Sequence, residues 1–113
     1  MLEVRDVSKR YGALTALRHI SFSVKPGEVL GYLGPNGSGK STTVKMIVGL
    51  MPPTHGHILL DGEDVQEHLL EYKAQVGYVP EEAHVYTYLT GPEYLRLTGR
   101  LRGIHERPVV VAL

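Results

Sequence analysis

The chain has 113 residues, 42% of them hydrophobic, with 12 basic side chains against 12 acidic ones. That length suits one small domain, and the zero net charge removes the electrostatic case for a nucleic-acid surface or a polybasic membrane anchor. There is no cysteine, which excludes a disulfide framework and a thiolate zinc site and suits a cytoplasmic protein.

The N-terminal MLEVRDVSKRYG carries charges where a signal peptide needs an apolar run. Val4 and Val7 stand apart in it, compatible with a short edge strand. Ile20, Phe22 and Val24 alternate with polar residues, as a half-buried strand does. Pro26-Gly27-Glu28 reads as a turn. Val29-Leu30-Gly31-Tyr32-Leu33 is short and nearly all apolar, which predicts a strand buried on both faces, the usual state in a parallel sheet. Residues 41–50 carry Val44, Ile47 and Val48 at helical spacing, and Pro52-Pro53 are expected to end that helix. Residues 57–60 read as a further strand closed by an Asp61-Gly62 turn, and residues 76–79 as another. The last clear element is a helix starting near Thr90. Thr90 and Glu93 have capping-box spacing, with Leu89 and Tyr94 placed as a hydrophobic staple. Pro92 falls in the first turn, Leu95, Leu97 and Leu101 follow, and Gly103 is the expected stop. No stretch approaches the roughly 20 apolar residues of a membrane span.

The chemistry sits between the apolar run at residues 29–33 and the helical stretch at residues 41–50. Gly34-Pro35-Asn36-Gly37-Ser38-Gly39-Lys40-Ser41 fits G-x-x-x-x-G-K-[ST]. Glycines let the backbone take positive φ angles and approach a ligand closely. Successive N–H groups then point inward as an anion nest, and the helix that follows adds unpaired amides and a positive dipole end. Lys40 brings a full charge to the β and γ phosphates, and the Ser41 hydroxyl is a hard oxygen ligand for Mg2+. The predicted setting, strand then loop then helix, is the one this motif requires. The expected fold is therefore α/β, of the P-loop NTPase kind, with a mixed sheet and a helix after the P-loop.

The fuller wording GPNGSGKST, which extends the site through Thr42, resembles the ATP-binding subunits of ABC transporters, and the likeness runs from Leu2 to about Gly103. Lys9-Arg10-Tyr11-Gly12 is similar to the segment where that family stacks an aromatic ring on adenine. Tyr11 matches that position, although from its residue type alone it reads equally well as a packing tyrosine. ISFSVKPGEVLGYLGPNGSGKST and GLMPPTHGHILLDGEDV resemble the family's successive strands, turns and helix end. Val76-Gly77-Tyr78-Val79-Pro80 resembles the approach to the Q-loop, whose glutamine lies near Mg2+ and the attacking water. Glu81 stands at that position here, a departure that adds negative charge near the γ phosphate if Glu81 ligates Mg2+. The alternative is that Glu81 and Glu82 form a solvated turn.

The resemblance implies ATP and Mg2+ as cofactors and a place on the cytoplasmic face of a membrane. Its implied partners are a membrane-spanning permease subunit or domain and a second ATP-binding domain. It also implies ATP hydrolysis coupled to transport. The family's LSGGQ-like signature, its Walker B strand and its switch histidine cannot be placed on residues 82–113. Residues 1–103 are therefore expected to be the N-terminal part of such a domain and residues 104–113 an atypical tail, as truncation or a frameshift near Glu106 would produce. A nucleotide-binding module without hydrolysis is the alternative. A GTPase would show an N-K-x-D segment and a small nucleotide kinase an arginine-bearing lid, and neither is found.

Other features carry less. His55 and His57 share one face of a predicted strand, but without an evident carboxylate third ligand. His84 and His105 lie in polar contexts. Asp61-Gly62-Glu63-Asp64 reads as a turn rather than a cation loop. Tyr72, Tyr78, Tyr86, Tyr88 and Tyr94 read as packing residues.

Overall fold

The computed structural model describes residues 1–35, 37–80 and 86–103. They fall into two compact units, residues 1–77 and residues from 78 onward. The first is built on a four-stranded sheet in the order β2-β1-β3-β4, with β1 at Leu2–Tyr11, β2 at Leu14–Val24, β3 at His55–Leu60 and β4 at Glu63–Asp64. Every ladder among the described residues is antiparallel. Helix α1, Lys40–Ile47, and helix α2, Leu69–Gln75, contribute Met46 and Tyr72 to a core shared with Val4, Val7, Leu17, Ile58 and Val65. The Tyr72 hydroxyl donates to the Ile47 carbonyl, which joins the two helices, and burial pushes its phenol above the ordinary range.

Strand β1 is central and ten residues long, not the short edge strand expected from its sequence. Val4 and Val7 are both buried although they lie three apart, whereas side chains on one face of a regular strand lie two apart. Reciprocal bulges reconcile the two. Val4 pairs with Phe22 and Val7 with Ile20, so β1 carries one extra residue; Lys9 then pairs with Leu17, so β2 carries the next. Asp6 and His19 take up these insertions with φ of 48° and 47°. Each is held by a serine across the ladder: Ser21 Oγ accepts the Asp6 amide at 2.8 Å, and Ser8 Oγ accepts the His19 amide at 2.9 Å.

On the other side of the Asp6 bulge, β3 passes with Gly56 at φ +83°, where an added Cβ would lie 2.2 Å from the Asp6 carbonyl oxygen and 2.5 Å from that of Arg5. Both obstacles are backbone, so Gly56→Ala must separate β1 from β3. A loss of about 2–4 kcal/mol is expected. Gly62→Ala, at a similar φ of +85° but with open space around it, should cost only about 1 kcal/mol. Urea denaturation of the two variants measures the difference, and equal losses would show that the close approach at Gly56 is not limiting.

Asp6 also gathers side chains from three strands. Its two carboxylate oxygens meet His19 Nδ1 at 2.6 Å and His55 Nε2 at 3.1 Å. His57, on the same strand as His55, pairs with Asp64 at 2.7 Å. The two β3 histidines thus do have carboxylate partners, but separate ones. Among the described residues no group of three or more potential ligands is placed to hold a metal ion. The hydrogen bond from His19, and then that from His55, hold the Asp6 carboxyl below its ordinary value. A carboxyl lowered on folding contributes stability that is fully present above its unfolded value, about pH 3.9, and lost as pH falls through the folded one. Asp6→Asn tolerates the positive φ and should therefore be less stable than the parent near neutrality. The gap should close in acid, as pH falls below the unfolded value and then through the lowered folded one, as read from thermal midpoints.

Two segments depart from the strand reading. Residues 29–33 enter no ladder, and Val29 and Leu33 are 99% and 95% exposed. A strand of this composition needs a neighbour on each edge, and no further strand among the described residues stands beside it. Residues 76–79 likewise enter no ladder. The turn at residues 25–28 is present, closed by the Glu28 amide on the Lys25 carbonyl at 3.0 Å. Helix α1 ends before the proline pair. The Gly49 amide donates to Met46 and the Leu50 amide to Lys45, with Gly49 at φ 82°, which is a Schellman stop. The Asp61-Gly62 turn is a two-residue hairpin between β3 and β4, both residues at positive φ.

In the second unit, helix α3 spans Gly91–Leu101 and has the capping box expected of it. Thr90 Oγ1 accepts the Glu93 amide at 3.3 Å, and Glu93 returns a carboxylate oxygen to the Thr90 amide at 3.2 Å. These bonds hold the Glu93 carboxyl below its usual range. Gly103, at φ 72°, follows the last turn. Tyr86 lies 5.6 Å from Tyr88 and 6.1 Å from Tyr94, ring centre to ring centre.

Candidate nucleotide-binding site

The loop from residue 34 to α1 is shaped by its glycines. Gly39 is the N-cap of α1, at φ 92° and ψ 8°, with no side chain to cap the helix. An added Cβ at Gly39 would meet the Ala16 carbonyl oxygen and Leu17 Cδ1, each at 2.9 Å. Strand β2 therefore forms the floor beneath the loop, and only glycine lets the chain lie this close to it. Gly37 is also left-handed, at φ 82°, and the Ser38 amide donates to the Pro35 carbonyl at 3.2 Å. At Gly34 a Cβ would meet Ser38 Oγ at 2.8 Å.

Lys40, the first residue of α1, reaches back so that its Nζ donates to the Gly34 carbonyl. The ammonium thus lies across the loop from its last residue to its first. The first turn of α1 contains no acidic side chain, so its unpaired amides and dipole reinforce the Lys40 charge instead of being cancelled. Ser41 is exposed and Thr42 half-buried at the same end. A loop that presents glycine backbone, a helix start and an ammonium together can hold a polyanion, and Ser41 offers its hydroxyl to a cation carried with it. Asn36 and Glu81 lie outside the described residues, as do Glu82, His84, His105 and residues 104–113.

Tyr11 closes β1 and pairs with Leu14 at the start of β2, two to three residues before the Ala16–Leu17 floor of the loop. That is roughly 7–10 Å along the strand. Tyr11 as a residue is 46% exposed. The hydroxyl donates to Met51 Sδ at 3.2 Å, and Lys9 Nζ stands 5.6 Å from the ring centre while donating to the Pro52 carbonyl. The ring is thus fixed at one end and open to a flat ligand on part of its surface. Sequence reasoning missed the supports of the site: the Ala16–Leu17 floor, Met51 and Lys9 around Tyr11, and the buried Thr43 beneath the loop. Only Thr43 left a signal, a hydroxyl four residues after Gly39, one helical turn on.

A glycine-rich loop leading into a helix whose first residue is a lysine is the arrangement of the P-loop class. The model of the ABC transporter family matches residues 17–106, and the chain belongs to that family. It is 42% identical to the linearmycin resistance ATP-binding protein LnrL of Bacillus subtilis (strain 168), over 92% of its own length but 33% of LnrL. A solved ATP-binding subunit of an ABC transporter superposes with a TM-score of 0.83 at 40% identity, covering 94% of this chain and 44% of that one. The cassette MJ0796, in a dimeric post-hydrolysis state bound to ADP and Pi, superposes with a TM-score of 0.78 at 27% identity, covering 90% and 48%. The fold is thus a P-loop NTPase fold, and the chain spans a third to a half of the proteins it matches here.

Proposed function

We propose that this chain binds Mg-ATP through residues 34–42 and is the nucleotide-binding part of an ABC transporter subunit that couples ATP binding and hydrolysis to transport. The observation that carries this reading is the left-handed Gly39 at the start of an acid-free helix, with Lys40 turned back across the loop. Ser41 is the proposed Mg2+ ligand, and Glu81 a second one by its position in the family pattern. Adenine is proposed to stack on Tyr11, at the far end of the strand run whose other end floors the loop. MJ0796, bound to ADP and Pi as a dimer, supports the nucleotide and a second ATP-binding domain as partners. A permease subunit is the further partner the family suggests, which would place the chain peripherally on the cytoplasmic face. Among the described residues no helix is long and apolar enough to cross a membrane.

Titration calorimetry with Mg-ATP tests the reading. Saturable binding with one nucleotide per chain is expected, and no heat at millimolar ATP would overturn it. Tyr11→Ala should weaken binding by about 1–3 kcal/mol, the range for loss of one stacked base. Because stacking uses a face that every purine has, GTP should bind within about tenfold of ATP. Unchanged affinity in Tyr11→Ala would remove the ring from the site.

A further inference from the structure

Two hydroxyls hold the last peptide of the loop from beneath. Thr43 is 1% exposed; its Oγ1 donates to the Gly39 carbonyl at 2.9 Å, and its backbone N–H donates to the same oxygen at 2.9 Å. A threonine hydroxyl has one proton. With that proton directed at Gly39, the Tyr32 hydroxyl 3.2 Å away must be the donor to Thr43. Donation therefore runs from Tyr32 to Thr43 to Gly39. Tyr32 is anchored in turn by its ring, which packs on Phe22 of β2 with ring centres 5.8 Å apart. This chain of contacts ties residues 29–33, which join no ladder, to both the sheet and α1.

The consequence lies on the other side of the peptide. In a planar trans peptide the carbonyl and the following N–H point in opposite directions. A Gly39 carbonyl drawn into α1 leaves the Lys40 amide turned outward at the helix start, into the loop. The Thr43 N–H, as the first bond of α1, already favours this orientation, but glycine permits others at little cost, so the second bond from the Thr43 hydroxyl to the same oxygen reinforces the choice. We propose that Tyr32 and Thr43 are positioning residues that fix the Gly39–Lys40 peptide so that the Lys40 amide faces the bound phosphates. This rests on the nucleotide reading of the loop.

Two substitutions at one site separate positioning from packing. Thr43→Val keeps the buried volume and removes the hydroxyl; Thr43→Ser keeps the hydroxyl and removes a methyl. If Thr43 only fills space, Ser is the more harmful. If it orients the peptide, Val weakens Mg-ATP binding about three- to tenfold, the equivalent of one neutral hydrogen bond, and Ser changes it less than about twofold. Tyr32→Phe should resemble Val, and the double variant Tyr32→Phe/Thr43→Val should lose less than the two single losses combined, because both cut one chain of bonds. In the nucleotide-free protein the Lys40 amide resonance in a 1H–15N spectrum should move with Val and Phe but not with Ser. Parent-like affinity and Lys40 shift in Val and Phe, or a larger binding loss in Ser than in Val, overturns the positioning role and leaves the nucleotide reading standing. Absence of ATP binding by the parent overturns both. If Thr43→Val does not fold, Tyr32→Phe decides alone: parent-like affinity and Lys40 shift would rule the relay out.

Discussion

Mixed with Mg-ATP, the 113 residues alone are expected to release phosphate no faster than their Lys40→Ala variant. Transfer of a phosphoryl group to water needs a positioned nucleophile as well as clamps on phosphate and metal. Residues 34–42 provide clamps. In the family pattern the carboxylate that activates water ends the Walker B strand, and the signature loop of a second domain closes on the γ phosphate. Neither motif occurs in these residues. Glu81, at the Q-loop position, is a poor substitute for a general base. Losing acid–base assistance alone costs on the order of 10²–10⁴-fold, and the missing trans clamp removes an electrostatic contribution of comparable size. Pairing two such chains would not restore the clamp, because neither supplies the loop. A phosphate-release assay on the purified chain decides it. Turnover near about one per second, an ordinary enzymatic rate, that vanishes in Lys40→Ala would show that the base lies within these residues.

The site was easier to read from the sequence than the sheet that supports it. GPNGSGKST states its chemistry directly, because glycine, lysine and serine at fixed spacing are required by phosphate geometry rather than by the rest of the fold. Thr90 with Glu93, and Asp61 with Gly62, were legible for the same reason: a local hydrogen-bonding or backbone requirement selects the residue types. Strand β1 was not. Its bulge at Asp6 shifts Val7 onto the face of Val4, so the period of two that identifies a strand is broken in the sequence while intact in space. Helix α1 stops earlier than its sequence suggests: Pro52-Pro53 is the louder signal, although Gly49 already supplies the left-handed residue. Helix α2, seven residues long, is too short to show a helical period. Residues 29–33 have the composition of a doubly covered strand, but Val29, Leu30 and Leu33 stand exposed and only Tyr32 is half-buried. Their composition answers to neighbours in a longer domain, and this chain spans 33% of LnrL and 44% of the solved subunit.

Lys40→Ala should weaken Mg-ATP binding about tenfold or more while leaving the fold nearly unchanged. In the present geometry the Lys40 ammonium bonds to the Gly34 carbonyl, across the loop from the base of its own helix. A neutral carbonyl is a weaker partner for an ammonium than a phosphate oxygen, so a nucleotide entering the loop draws the charge onto itself. Hydrogen bonds to a charged group are worth roughly 1.5–3 kcal/mol each, and about 1.4 kcal/mol is tenfold in affinity. The fold should tolerate the change because the core is made by Met46, Tyr72 and the sheet; a change within about 0.5 kcal/mol is expected, as for surface positions. General loss of positive charge from α1 is the competing explanation, and Lys45 separates the two. It is exposed in the last turn of the same helix, so Lys45→Ala removes the same charge without removing a group of the loop and should shift affinity less than about twofold, since an exposed charge in water acts only weakly on its surroundings and is screened by salt. Calorimetry at equal Mg2+ on the parent and both variants tests it. Equal losses in the two variants would reduce the lysine to a general charge effect, and no loss in either would remove Lys40 from the site.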